Sequence, residues 1–148
     1  MKLNAILSPE RVTSGVSVTS KKKGLEELSR LLALGTEGVS GGDIFNSLTA
    51  REKLGSTGLG HGVAIPHGRM TGVTNSVGAF LRLKHAVDYD AHDGHGVDLV
   101  FGLVVPSAAT EEHHKHRAAV AEKFSDEDFC KKMRAAKDDR TLFTLLVS

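Results

Sequence analysis

The hydrophobic positions of this chain change period several times, and each change marks an element. Behind Thr19-Ser20, Leu25, Leu28, Leu31 and Leu32 recur at helical spacing, predicting a capped helix over about 21–34 that Gly35 and Gly38 end. A second helix, over about 42–53, turns Ile44, Phe45 and Leu48 inward. Then the period shortens to two. Val77, Ala79, Leu81 and Leu83 alternate with Gly78, Phe80, Arg82 and Lys84, which predicts a half-buried strand. The run 97–105, VDLVFGLVV, is almost continuously apolar and reads as a central strand covered on both faces, stopped by Pro106. Residues 11–18 are short and β-branched, an extended entry, while the polar 85–96 turns at Asp93-Gly94, with 86–89 available as a short strand. Three helices close the chain. One runs from a Thr110 cap to about Phe124, one follows Ser125-Asp126, and one opens at Asp138-Asp139. Strands interleaved with helices predict an α/β fold: a single domain over 1–148, with a mixed β-sheet flanked by helices on both faces.

Composition removes several classes of function. With 19 Lys+Arg against 18 Asp+Glu, no global field draws the chain to nucleic acid or an anionic membrane. No stretch approaches the roughly 18 apolar residues of a membrane span, and the N-terminus lacks a signal-peptide core. The one cysteine, Cys130, excludes an internal disulfide and fits a reducing compartment, so the expectation is a cytoplasmic protein. Lys21-Lys22-Lys23 lies in a first helical turn, where the dipole disfavours each positive charge by ~0.3–1 kcal/mol; it reads as a solvated face.

The chemistry concentrates in residues 51–69, REKLGSTGLGHGVAIPHGR. Glycines at 55, 58, 60, 62 and 68 surround a short apolar piece that ends in Pro66-His67-Gly68. Proline fixes φ and removes a donor, so His67 is expected at a stiff corner and not in the middle of a ladder. Such a corner suits an imidazole that must meet a bulky anion, although an isolated Pro-His-Gly is more often a plain exposed turn. Arg51 lies two helical turns beyond Ile44 and shares its inward azimuth. An arginine there needs a partner or a cleft, since an unpaired buried charge is expensive. No GxxxxGK[ST] is present, and Gly58, Gly60 and Gly62 do not form GxGxxG, so nucleotide machinery is not in view.

Taken together, Arg51-Glu52, Ser56-Thr57, Gly58-Leu59-Gly60 and Ala64 through Arg69 resemble the IIA domains of the bacterial phosphotransferase system. The likeness is to the mannitol/fructose/nitrogen-regulatory branch, and a free-standing domain fits the nitrogen-regulatory type. A weaker match runs from Val104-Val105-Pro106 to Thr110 and His113. The resemblance implies a phosphocarrier. His67 would accept a phosphoryl group, His113 would be its charge or hydrogen-bond partner, and Arg51 a bidentate clamp. Gly58, Gly60, Gly62 and Gly68 would supply an amide cradle. No cofactor is needed. The partners implied are a histidine-phosphorylated carrier of the HPr type as donor, and a IIB domain or regulatory target proteins downstream.

Two features depart from the family pattern. His61 replaces a polar, non-basic residue, and His114 and Arg117 stand where relatives tend to place apolar ones. Because His114 lies about 100° around the helix from His113, one of the two is expected to face the cleft, with His113 preferred and His116 a further candidate. Two other readings remain. His113 and His116 at i, i+3, with Asp90, His92, Asp93 and His95, contain the donor types of a metal site. Alternatively, the fold is a regulatory binding module that transfers no phosphate.

Overall fold

Two leucine-striped helices cover one face of a six-stranded sheet, and three C-terminal helices cover the other. A computed structural model describes residues 3–108 and 111–148. After two short 3-10 turns, β1 (Val12–Val16) leads to α1 (Lys21–Ala33) and α2 (Gly41–Glu52). The glycine-rich stretch then lays down three short strands: β2 (Gly58–Gly60), β3 (Val63–Ala64) and β4 (His67–Met70). Long strands β5 (Val77–Val87) and β6 (Val97–Pro106) precede α3 (Glu111–Phe124), α4 (Glu127–Ala135) and α5 (Asp139–Val147). The caps are those the sequence offers. Ser20, Asp126 and Asp138 accept backbone N–H groups at the starts of α1, α4 and α5. The expected Thr110 cap lies outside the described residues.

The sheet is mixed, in the order β1-β5-β6-β3-β2, with β4 also pairing to β6. Antiparallel β5 and β6 form its centre, and β3 and β4 both run parallel to β6, one after the other along the same edge. That succession carries residues 63–70 along the central strand and delivers His67 opposite Leu103.

Alternating residues of the central strands feed two cores. Ala79, Leu81, Val100 and Val104 pack with Leu25, Leu28, Leu32, Ile44 and Leu48 of the first two helices. Phe80, Leu99, Phe101, Leu103 and Val105 pack with Val120, Phe124, Met133, Leu142 and Leu146 of the last three. Each fully buried large side chain contributes roughly 1.5–3 kcal/mol. The expectation of a half-buried strand at 77–84 therefore needs correction, because residues 77–81 are buried on both faces. Phe80 stacks on Phe124 with ring centroids 5.8 Å apart, so the second residue of the alternation is core as well. Nor is 86–89 a separate strand; β5 runs on to Val87, which pairs with Val97 after a register shift.

Packing under α1 leaves no room at Gly102. A Cβ there would lie 2.5–2.8 Å from Leu28 Cδ2, Cγ and Cδ1, and Leu28 is itself fully buried. Gly102→Ala should therefore destabilise by about 1–3 kcal/mol, read as a lower urea midpoint at unchanged slope. An unchanged midpoint would mean that α1 can lift off the sheet at no cost.

Candidate functional site

Burial and hydrogen bonding at His67 select one tautomer of its ring. His67 is half-buried at the first position of β4, and its Nδ1 lies 3.0 Å from the Ile65 carbonyl oxygen. A carbonyl only accepts, so Nδ1 carries the proton. Its Nε2 lies 3.1 Å from Nη1 of Arg117, and a guanidinium only donates, so Nε2 presents its lone pair. Burial holds the imidazole below its ordinary value of 6.5. The Ile65 carbonyl opposes that shift, Arg117 and Arg51 reinforce it, and Glu52 opposes it. The ring is thus neutral at neutral pH, with its lone pair on Nε2.

One correction concerns the backbone. His67 does not stand at a corner outside a ladder; it opens β4 in register with Leu103, whose N–H donates to the Pro66 carbonyl at 3.0 Å. Proline removes only a donor, and the ladder uses its acceptor.

A cleft of about 520 Å³ lies beside the ring. Its floor and near wall are Arg51, Ser56, Thr57, Gly58, Leu59, Ile65, His67 and His92. The far wall is one face of α3, made of His114, Arg117, Ala118 and Ala121. Arg51 reaches it as its helical azimuth predicted, with Nη1 donating to the Gly55 carbonyl at 2.8 Å. His113 borders a smaller crevice of about 30 Å³, which it shares with His67, Arg69, His114 and Arg117. Thus both His113 and His114 border space beside His67, where one only was expected, and the wider cleft has His114 on its wall. The cleft and the crevice share His67, His114 and Arg117. His113 also lies against His116, with ring centroids 6.4 Å apart, and His116 is buried beneath α3.

Of the four cradle glycines, Gly58 alone is on the cleft wall. The others are explained by packing. A Cβ on Gly68 would meet Ser47 Oγ at 2.3 Å, so this glycine lets β4 approach α2. One on Gly62 would lie 2.6 Å from Arg134 Nη2 and 2.9 Å from Asp98 Oδ1, inside an ion pair. Gly60, with φ +92, belongs to the turn around His61, which is itself left-handed at φ 55. That turn is held by Asp93, which accepts the His61 N–H, and by Arg134, which donates to the His61 carbonyl. His61 therefore serves the turn through its backbone, with its side chain exposed.

Beneath the cleft lies a network that the sequence reading did not foresee. Glu52 is 8% exposed and pairs with Lys21 Nζ at 3.0 Å. Its carboxylate also accepts the Thr57 N–H at 3.2 Å and the Thr57 hydroxyl. With that hydroxyl proton committed, the Tyr89 phenol is the donor to Thr57 Oγ1, at 3.4 Å. Burial and the Glu52 charge push the phenol above its ordinary 10.0, which keeps it protonated for that role. Thr57 in turn offers its carbonyl to the Ile65 N–H at 3.1 Å, and Ile65 holds His67. The only sequence signal was the carboxylate beside Arg51. Arg117 was also missed as a site residue, although its place one turn from both His113 and His114 put it on their side of α3.

The metal reading finds no support: among the described residues, no set of three or more His, Cys, Asp or Glu is arranged to hold an ion. Asp93 is occupied by the His61 and His95 backbone N–H groups.

Comparison with known proteins fits this geometry. The family model of the phosphoenolpyruvate-dependent sugar phosphotransferase system EIIA 2 matches residues 5–148. The chain belongs to that family. Within it, the chain is 42% identical over 147 residues to a nitrogen regulatory protein of Pseudomonas aeruginosa, covering 99% of this chain and 96% of that one. A crystal structure of the nitrogen regulatory protein IIA-Ntr from Neisseria meningitidis superposes with a TM-score of 0.87 at 41% identity, covering 95% of this chain and 96% of that one. The Escherichia coli mannitol IIA, solved in complex with phosphorylated IIB, shares the fold at TM-score 0.76 and 20% identity, covering 95% and 96%. The nitrogen-regulatory IIA assignment thus extends over the whole chain, and among the described residues no helix is long and apolar enough to cross a membrane.

The state of His67 in this IIA domain makes a pH prediction. A histidine whose folded pKa is lowered adds stability by staying neutral; that contribution is complete above 6.5 and is lost as pH falls through the lower folded value. Chemistry that needs the Nε2 lone pair should follow the same window. Its rate should be flat from about pH 8 to 6.5 and decline only at more acid pH. NMR titration of the His67 ring checks this, and a midpoint above 6.5 would contradict the burial argument.

Proposed function

We propose that this nitrogen-regulatory IIA protein is a phosphocarrier that accepts a phosphoryl group on His67 Nε2 from an upstream phosphohistidine carrier. The observation that supports this most directly is the lock on the ring, with Nδ1–H on Ile65 O and the Nε2 lone pair accepting from Arg117 of the cleft wall. As the Nε2–P bond forms, the donor's N–P bond breaks and its electron pair returns to the donor ring nitrogen. The proton stays bonded to Nδ1, donated to the Ile65 carbonyl, so His67 needs no base. Arg51 acts as a clamp on the phosphoryl oxygens from the cleft wall, and His113 as a partner from the adjoining crevice. The amide cradle reduces to the Gly58 edge of the cleft.

The donor is a histidine-phosphorylated HPr-type carrier protein, and the reaction uses no nucleotide. Downstream, the phosphorylated and free forms present different charge to regulatory targets or to a IIB domain, the partner that the mannitol IIA holds in its solved complex. The test is incubation with phosphoenolpyruvate and the upstream carriers. The expected product is one acid-labile, base-stable phosphate, mapped by mass spectrometry to His67. No phosphate, or phosphate on another side chain, would overturn the proposal.

A further inference from the structure

We propose that Arg117 is a further catalytic residue that caps the His67 lone pair at rest and clamps the phosphoryl group after transfer. The proposal rests on the phosphocarrier reading of His67. Its basis is a contact with the reacting atom itself: Arg117 Nη1 is 3.1 Å from His67 Nε2, the atom to which phosphorus would bond. Arg117 is exposed, one turn beyond His114 on the α3 wall, and it lines both the cleft and the crevice. Among the described residues it is the one guanidinium hydrogen-bonded to the ring, whereas Arg51 spends Nη1 on the Gly55 carbonyl.

The geometry requires an exchange. An N–H pointing at the lone pair occupies the line along which phosphorus must approach, so the guanidinium has to give way during transfer. A long exposed side chain can do this without disturbing the helix. Once the Nε2–P bond exists, the nearest acceptors to the displaced N–H groups are phosphoryl oxygens carrying close to two negative charges. The fork of a guanidinium matches two of them. One hydrogen bond to a neutral nitrogen is thereby replaced by charge-assisted bonds, which favours the phosphorylated state. The flanking Ala118 and Ala121 leave the guanidinium room to swing. No bond forms to Arg117, and its proton count does not change.

The test compares Arg117→Gln with the wild-type chain, both equilibrated with phosphorylated carrier. The variant should show an equilibrium constant for phosphorylation lowered roughly tenfold or more, as loss of a charged hydrogen bond implies, and a shorter phosphohistidine lifetime by ³¹P NMR. In the unphosphorylated variant, the His67 Nε2 ¹⁵N resonance should move toward the value of a bare lone pair. If the wild-type chain takes no phosphate, the phosphocarrier reading and this proposal both fall. If the wild type is labelled and the variant matches it in equilibrium and lifetime, the clamp alone is overturned.

Discussion

His67→Ala should take up no phosphate from any carrier and remain folded. The ring's polar partners are one carbonyl and one exposed arginine, both able to turn to water in its absence. Pro66, Gly68 and the ladder to β6 do not depend on the side chain: Leu103 N–H still reaches the Pro66 carbonyl, and β4 still pairs from 67 to 70. The loss is a half-buried ring and a hydrogen bond, about 1 kcal/mol and within the ordinary range for point mutants. The variant should therefore keep its circular dichroism and most of its melting temperature while acid-labile labelling falls to background. Labelling at wild-type level would move the phosphate to His113, His114 or another side chain. Unfolding, in contrast, would mean that His67 holds β4 in place.

The sequence carried the fold well where one element's own period decided the matter. The leucine stripe of α1, the apolar run of β6 and the Asp126 and Asp138 caps each state a local preference that packing reinforces. It carried less where two elements meet. The double burial of β5 depends on Phe80 finding Phe124, far along the chain, and alternation alone could not separate a core phenylalanine from a surface one. The site divides in the same way. His67 and Arg51 sit in one contiguous glycine-rich string, so their nearness was legible. Arg117 was not, because its value comes from α3 lying across the mouth of that string. Glycine-rich composition also misled. Gly62 and Gly68 resemble ligand-cradling residues, yet each makes room for another side chain of the protein.

The larger stability effect should come from Glu52. Its carboxylate takes the Lys21 ammonium, the Thr57 N–H and the Thr57 hydroxyl, and the Tyr89 phenol also interacts with it. Glu52→Ala leaves these groups behind. Breaking a buried ion pair from one side costs roughly 3–5 kcal/mol when both charges are enclosed. Lys21 keeps 21% of its side chain exposed and also donates to the Tyr89 carbonyl at 3.4 Å, so about 2–4 kcal/mol is the appropriate expectation here. The loss should not stay local. Thr57 holds Ile65 through its carbonyl, and Ile65 orients the His67 ring, so transfer to His67 should slow even in protein that remains folded. A double-mutant cycle with Lys21→Met isolates the pair, because removing both charges relieves the stranded ammonium. The double variant should be more stable than the sum of the single losses predicts, by about 1 kcal/mol or more. Strict additivity in urea unfolding would show that Glu52 and Lys21 do not act on one another. The chain of contacts from α1 to His67 would then begin at Glu52.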